Sequence, residues 1–271
     1  WADALKEQMQ ADALPAGGVL CSRGSQGRVG VWDGAGDRML TERTFDSVVG
    51  VHAVSDGCVV VTPNKVVLLS RAGELRTLFS GSSIDALQLR AEELSVVGGG
   101  QLHNLDLQGN LLTQFHVGAG TTAIARRGEK LWWVGYEDGA VEALSAAGGR
   151  DLDAPALEQT PSSPVEKLLE GSHGLLFAGY ADGTVLLWNK LDGTALARRQ
   201  LHGRVAHISL ELTRFSAMSD LGDLVSWDIG VFTADRCATL RAIWDAVPVV
   251  WQEGRVVEAA PPRVHPCQLA P

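Results

Sequence analysis

The chain is short of several things that would have pointed to a function. Aromatic residues make up 6% of it, with only two tyrosines, and there are three methionines and four cysteines among 271 residues. Cys21, Cys58, Cys237 and Cys267 form no Cys-x-x-Cys pair, and none stands at ligand spacing from a histidine. That argues against a zinc site. Four thiols over this length are too sparse for a disulfide framework. Cys21 and Cys58 lie in the apolar runs VLCS and CVVV, and read as small buried hydrophobes. No apolar run approaches the roughly 18 residues of a membrane-crossing helix. Basic residues are outnumbered, 23 against 32 acidic, for a net charge of −9. A general nucleic-acid binder or an anionic-membrane binder needs a basic face, so neither is expected. Gly-x-Ser-x-Gly, Gly-Lys-Ser/Thr and His-Glu-x-x-His are all absent. The chain opens on Trp1 without Met, which suggests a trimmed or processed N-terminus, and no signal peptide is visible.

What is abundant is glycine, 31 residues, set in a chain that is 45% hydrophobic. That apolar fraction is ordinary for a globular protein and excludes a wholly disordered one. One near-duplicate stands out. Residues 135–140 read GYEDGA and residues 179–184 read GYADGT, each between two apolar runs. Asp-Gly in that setting signals a β-hairpin, here expected to turn through a type I′ geometry.

Looser copies of the unit run through the chain. Second hairpin strands are expected at RVGVW (28–32), KVVLL (65–69), QLHNL (101–105), AVEAL (140–144), TVLLW (184–188) and DLVSW (223–227). A polar turn follows each, and then an outer strand ending on Phe45, Phe79, Phe115, Leu152, Leu201 or Leu240. These ends are 34 to 39 residues apart, except for one interval of 49 that contains the insert 153–164. A further apolar run opens each unit, as in SVVGVHAV (47–54), VEKLL (165–169) and VAHISLEL (205–212). Four short strands at this period are the mark of a β-propeller blade.

The expected fold class is therefore all-β, a single β-propeller domain over 1–271. Its blades fall at about 8–45, 46–79, 80–115, 116–152, 165–201 and 202–240. A seventh is built from 241–271 plus 1–7, closing the ring from both ends. Six blades is the alternative, and residues 1–12 could also form a helix, since ADALKEQMQADAL contains good helix formers.

Trp32-Asp33, Trp188-Asn189 and Trp227-Asp228 end hairpin strands. In this position and period they resemble the Trp-Asp dipeptide of WD40 repeats. Asp138, Asp182 and Asp220 are candidates for that family's turn aspartate. The family's Gly-His is degenerate, its nearest match being His202-Gly203 in reversed order. The stretch LDGTALARRQ (191–200) also resembles the turn of quinoprotein-type propellers. The resemblance implies a protein-interaction platform, usually without catalysis.

No catalytic, cofactor or metal residue is assigned. His52, His103 and His207 sit inside strands, and no histidine pairs with a second ligand. Gly98-Gly99-Gly100 fits a hairpin turn and lacks the following helix of a phosphate site. Trp32, Trp188 and Trp227 recur at one blade position and read as packing between blades. Adjacent Trp132 and Trp133 should point to opposite faces of one strand. Asp46, Asp85 and Glu166 fall near the starts of first strands, where the mouth of the channel lies. Arg204 stands just before another such strand. With Pro155, Glu158 and Pro161 of the insert, these are the candidate partner contacts. The insert itself reads as a disordered insertion or a partner-binding loop on the face of the Asp-Gly turns.

The expected function is a non-catalytic scaffold that meets a protein partner through its top-face loops. It would be a subunit of a bacterial hetero-complex, in the cytoplasm, or in the periplasm if a signal peptide has been removed. The alternative is a small-ligand or metal-dependent, hydrolase-like propeller. That reading requires carboxylates converging at the channel mouth with raised pKa values.

Overall fold

A computed structural model describes residues 10–13, 18–90, 92–128, 131–147, 149–247, 249–258 and 267. Its strands form successive antiparallel sheets, each built from consecutive chain. Sheet 1 is β1 (Gln10–Ala13), β2 (Val19–Arg23), β3 (Arg28–Asp33) and β4 (Met39–Thr44). Sheet 2 is β5 (Gly50–Val54), β6 (Gly57–Val61), β7 (Lys65–Ser70) and β8 (Leu75–Ser80). Sheet 3 is β9 (Ala86–Arg90), β10 (Glu93–Gly98), β11 (Gln101–Asp106) and β12 (Leu111–His116). Sheet 4 has three strands, β13 (Thr121–Arg127), β14 (Leu131–Tyr136) and β15 (Val141–Ser145). Sheet 5 is β16 (Val165–Glu170), β17 (Leu175–Tyr180), β18 (Thr184–Asn189) and β19 (Ala195–Gln200). Sheet 6 again has three, β20 (Val205–Glu211), β21 (Arg214–Ser219) and β22 (Leu224–Asp228).

The middle strands are buried on both faces, which explains why they read as continuous apolar runs rather than alternating ones. Every residue of β6 and of β17 is buried, whereas β4 and β8 are largely exposed. The core is divided among seams between consecutive sheets. Val19, Cys21 and Val31 of sheet 1 meet Val51, Cys58 and Leu69 of sheet 2. Phe177 and Leu187 of sheet 5 meet Phe215 and Ala217 of sheet 6. The Phe177 and Phe215 rings stack at 4.3 Å. Trp132 packs toward sheet 3 with Leu102 and Phe115, while Trp133 packs toward sheet 5 with Val165 and Leu176. The two indoles thus fill opposite seams, as strand alternation requires.

One seam also carries a polar chain. Asn104 donates to Glu93 Oε2 (2.9 Å) and accepts from Ser95 Oγ (2.9 Å). The Trp132 indole donates to the same Ser95 hydroxyl at 3.4 Å. Arg126 pairs with Glu93 and lies over the Trp132 ring. Ser95 and Asn104 are buried, so these partners offset their desolvation.

The structure corrects several expectations. The two Asp-Gly turns are not type I′. Only the glycines take positive φ, Gly139 at 90° and Gly183 at 85°. Tyr136 N donates to Ala140 O, which leaves three residues in the loop rather than two, and Asp138 accepts from Ala140 N. The two-residue turn with both φ positive is instead Gly99-Gly100, in the Gly98–Gly100 segment that was expected to be a turn. Cys21 and Cys58 are buried but not unpaired: Cys21 bonds to Cys58, and Cys237 bonds to Cys267. The first bond joins β2 to β6 across the seam of sheets 1 and 2.

Leu152 ends no outer strand and is 90% exposed. After β15 the chain makes a single bridge, Leu144 to Arg150, and leaves the sheet. Leu240 lies in a helix. Residues 230–246 form α1 (Gly230–Thr233) and α2 (Arg236–Ala246), where an outer strand was expected. Asp235 starts α2 by accepting from Cys237 N and Ala238 N. A two-stranded sheet follows, β23 (Val249–Gln252) and β24 (Arg255–Glu258), at the places expected for the first strands of a seventh unit. Residues 10–12 lie in strand β1 rather than a helix. Residues 1–7, the expected closing strand, lie outside the described residues.

Candidate functional site

The first strands of sheets 2 to 5, β5, β9, β13 and β16, surround a cavity of about 410 Å³. Its polar wall is His52, Asp85, Gln88, Thr122, Glu166 and Lys167. Most of these groups are already engaged. Asp85 Oδ2 accepts from Gly99 N at 3.2 Å, tying the strand start to the Gly99-Gly100 turn. Gln88 Oε1 accepts from Arg126 N at 2.7 Å. The Thr122 hydroxyl donates to Gly135 O at 3.3 Å. Glu166 Oε1 lies 3.5 Å from Arg204 Nε, an ion pair between sheets 5 and 6. Lys167 is exposed, and partial desolvation by the surrounding protein lowers its ammonium from the usual lysine range against the pull of Glu166.

Arg204 belongs to a second polar group at the same end of the sheets. Its backbone N–H donates to Asp220 Oδ1 at 3.0 Å. Beside it, His202 donates its N–H to Asp223 Oδ2 (2.9 Å) and sets Nδ1 2.7 Å from the same oxygen. Those contacts hold the Asp223 carboxyl below its ordinary range, the backbone bond first. The carboxyls of Asp106 and Asp192 also shift downward through hydrogen bonds from their own turns, and that of Asp228 through Gly230 N–H and the Thr213 side chain. Raised carboxylate values of the kind a general acid needs are not among these shifts. Among the described residues no three His, Cys, Asp or Glu gather into a metal-holding group.

The candidate contacts from sequence therefore separate. Glu166 and Arg204 come together, and Asp85 shares the cavity with Glu166. Asp46 is exposed in the loop before β5 and does not line this cavity. Pro155, Glu158 and Pro161 lie along the seam of sheets 4 and 5, and the insert is pinned there rather than loose. Trp188 Nε1 donates to Glu158 O at 2.7 Å, and Glu158 N donates to Gly193 O at 3.0 Å. Ala154 and Leu157 pack on the seam core. Farther on, Ser163 Oγ accepts from Asp182 N and Pro164 O from Ala181 N, so the insert ends against an Asp-Gly turn. Sequence reasoning passed over Lys167, which stands next to Glu166 in an apolar-looking strand.

Comparison with known proteins agrees with the architecture. No protein-family model matches the chain, and no curated protein matches it. Among solved structures, the C-terminal WD40 domain of Sif2 superposes with a TM-score of 0.59 at 12% identity, covering 81% of this chain and 69% of that one. The computationally designed Ika8 protein superposes with a TM-score of 0.55 at 20% identity, covering 80% of this chain and 70% of that one. With its serial antiparallel sheets, most of them of four strands, the chain has a divergent WD40-like propeller fold. In sheet 1, Trp32 Nε1 donates to Ser22 Oγ at 2.8 Å.

Proposed function

We propose that this chain is a non-catalytic protein-interaction scaffold. The observation that carries the reading is its likeness to a WD40 domain, a fold that generally mediates protein contacts. Two features support it. The inter-sheet connections are held by hydrogen bonds and ion pairs, which reduces the ordering cost of binding a partner. The carboxylates at the channel mouth are tied to backbone or to Arg204, which suits a fixed recognition surface better than proton transfer.

The finer reading is a seven-bladed ring in one domain, with 241–271 and 1–7 completing it. The β23–β24 hairpin supports that reading. Asp85, Glu166 and Arg204, at one end of the sheets, are the proposed contacts for a protein partner in a bacterial hetero-complex, with Asp46 in the nearby loop and Pro155, Glu158 and Pro161 along the seam of sheets 4 and 5 as separate candidate contacts. Neither nucleic acid nor membrane is that partner. Of the two compartments, the periplasm accords with two disulfides, because thiols stay reduced in the cytoplasm.

Affinity purification of the protein from its native source tests the reading. A stoichiometric protein partner is expected with the native chain. It should be lost with the double variant Asp46→Lys, Arg204→Glu. Recovery of no stable partner would overturn the proposal.

A further inference from the structure

Sheets 1, 2, 3 and 5 end on a fourth strand, β4, β8, β12 and β19, each antiparallel to the third. Sheet 4 lacks one, but the chain after β15 closes its edge: Ser145 N donates to Gly149 O, and Asp151 N to Ala143 O. Sheet 6 stops at β22, and the chain turns into α1 and α2 instead of returning along the sheet. Hydrogen bonds at the two ends of β22 fix which of its backbone groups are used. Ser219 N donates to Asp223 O, and Ile229 N to Thr213 O. By alternation Val225 and Trp227 bond to β21, while the N–H and C=O groups of Leu224, Ser226 and Asp228 point away from it. Among the described residues no backbone group meets that outer edge. No residue of β22 is buried, whereas Thr184–Trp188 of β18, the corresponding strand of sheet 5, are all buried.

The edge is also unguarded. The strands that end the neighbouring sheets carry arginine: Arg43 in β4, Arg76 in β8, Arg198 and Arg199 in β19. β22 reads LVSWD, without Lys, Arg or Pro. Charge and proline blunt a free edge, because a bare one templates further pairing. Four ladders already present in the chain show what fits there. In each, the register shifts and leaves one fourth-strand residue unopposed, and that residue is a leucine every time: Leu40, Leu78, Leu112 and Leu196. Leu40, Leu78 and Leu196 pack on the core of the seam with the next sheet. β3 and β22 both end on Trp-Asp, so β4 is the nearest guide to the missing strand. Residues 259–266, AAPPRVHP, are unsuited to the place, since their three prolines cannot donate to a ladder.

We propose that β22 receives a strand from a protein partner, antiparallel to it, with a leucine at the unopposed position. The proposal rests on the scaffold reading and states how the partner is held. Main-chain bonds supply the affinity, and the leucine selects the sequence.

The probe is a peptide copying residues 38–45, RMLTERTF, added to the full chain. Site-resolved amide exchange should slow at Leu224 and Ser226 and stay unchanged at Val225 and Trp227, whose N–H groups already bond to β21. Ser226→Pro removes an outward N–H and leaves the β21 ladder whole, and should weaken binding about tenfold or more. Unchanged thermal unfolding checks that this variant is folded. A peptide with aspartate in place of its leucine tests the same site without altering the protein, and should bind as poorly. No slowing at Leu224 and Ser226, or equal binding by Ser226→Pro, would overturn the proposal. So would protection of these amides without peptide, which would mean that the chain itself or a second copy holds the edge. In affinity purification, recovery of the partner by Ser226→Pro as well as by the native chain would overturn strand donation and leave the scaffold reading standing. Recovery by neither would overturn the scaffold reading.

Discussion

Gly179 stands where the next sheet begins: a Cβ built on it would lie 2.4 Å from Cγ1 of Val205. Gly135 repeats the relationship with Val165 at 2.6 Å. Both valines are fully buried at the head of a first strand. The duplicated GYEDGA and GYADGT segments thus record two constraints. The leading glycine admits the neighbouring sheet, and the second glycine takes the positive φ of the turn.

Gly179→Ala should therefore destabilise the protein by about 1–3 kcal/mol, the usual cost of overpacking a tight core. A β-branched valine has little rotamer freedom with which to move aside. Gly149→Ala is the control, since nothing lies within 4 Å of a Cβ there and its φ is not positive. That change should stay within about 0.5 kcal/mol. Denaturant midpoints of the two variants decide the matter, and equal midpoints would refute the packing explanation.

The Cys21–Cys58 bond joins residues 37 apart, in adjacent sheets. Closing a loop of that length restricts the unfolded chain and is worth about 2–4 kcal/mol. Cys21→Ala with Cys58→Ala should lower the denaturant midpoint accordingly. The small side chains also leave a buried gap that adds to the loss. Thiol titration of the unfolded, unreduced native protein should find no free thiol at these two positions. Finding both reactive would show that the bond does not form.

Asn104 is the hinge of the polar chain between sheets 3 and 4. It accepts from Ser95 and donates to Glu93. Replacement by leucine keeps the volume but deprives the buried Ser95 hydroxyl of its acceptor and loosens Glu93. The expected cost is about 1–3 kcal/mol. Asn104→Leu combined with Ser95→Ala should cost less than the sum of the two single changes, because the stranded hydroxyl is removed, although Ser95→Ala also leaves the buried Trp132 indole without its acceptor. A double-mutant cycle reads the coupling directly, and strict additivity would mean that the two groups do not act as a chain.

Repetition made the middle strands legible, because burial on both faces writes itself as LLFAGY or GCVVV. The outer strands carry no such imprint, so the period alone suggested strands ending at Leu152 and Leu240. The segment after Ser145 holds Gly149, Pro155, Pro161 and Pro164, which cannot sustain a ladder. Arg236–Ala246 contains Ala, Leu and Arg behind an aspartate cap, a helix signal that the repeat obscured. Cysteine pairing was hidden for another reason: separations of 37 and 30 carry no local pattern, and only stacked sheets bring Cys21 to Cys58. Lys167 escaped notice because it stands inside the apolar-looking run VEKLL with no spacing to a partner that would mark it.

The pinned insert offers the most direct check of how the surface is built. Glu158 is exposed, so its side chain alone would invite a glutamate-specific protease. Its backbone is held on both sides, by the Trp188 indole and by Gly193 O. A protease needs an extended, released segment, so cleavage reports the population of the opened insert. The native protein should resist cleavage after Glu158. Trp188→Phe keeps an aromatic ring in the seam but removes the indole donor. The loss of one hydrogen bond, about 1 kcal/mol, should raise the opened population and the cleavage rate about fivefold. Cleavage elsewhere at unchanged rates would localise the effect to the insert. Rapid cleavage of the native chain after Glu158 would mean that the insert is free, and the packing described for it would be wrong.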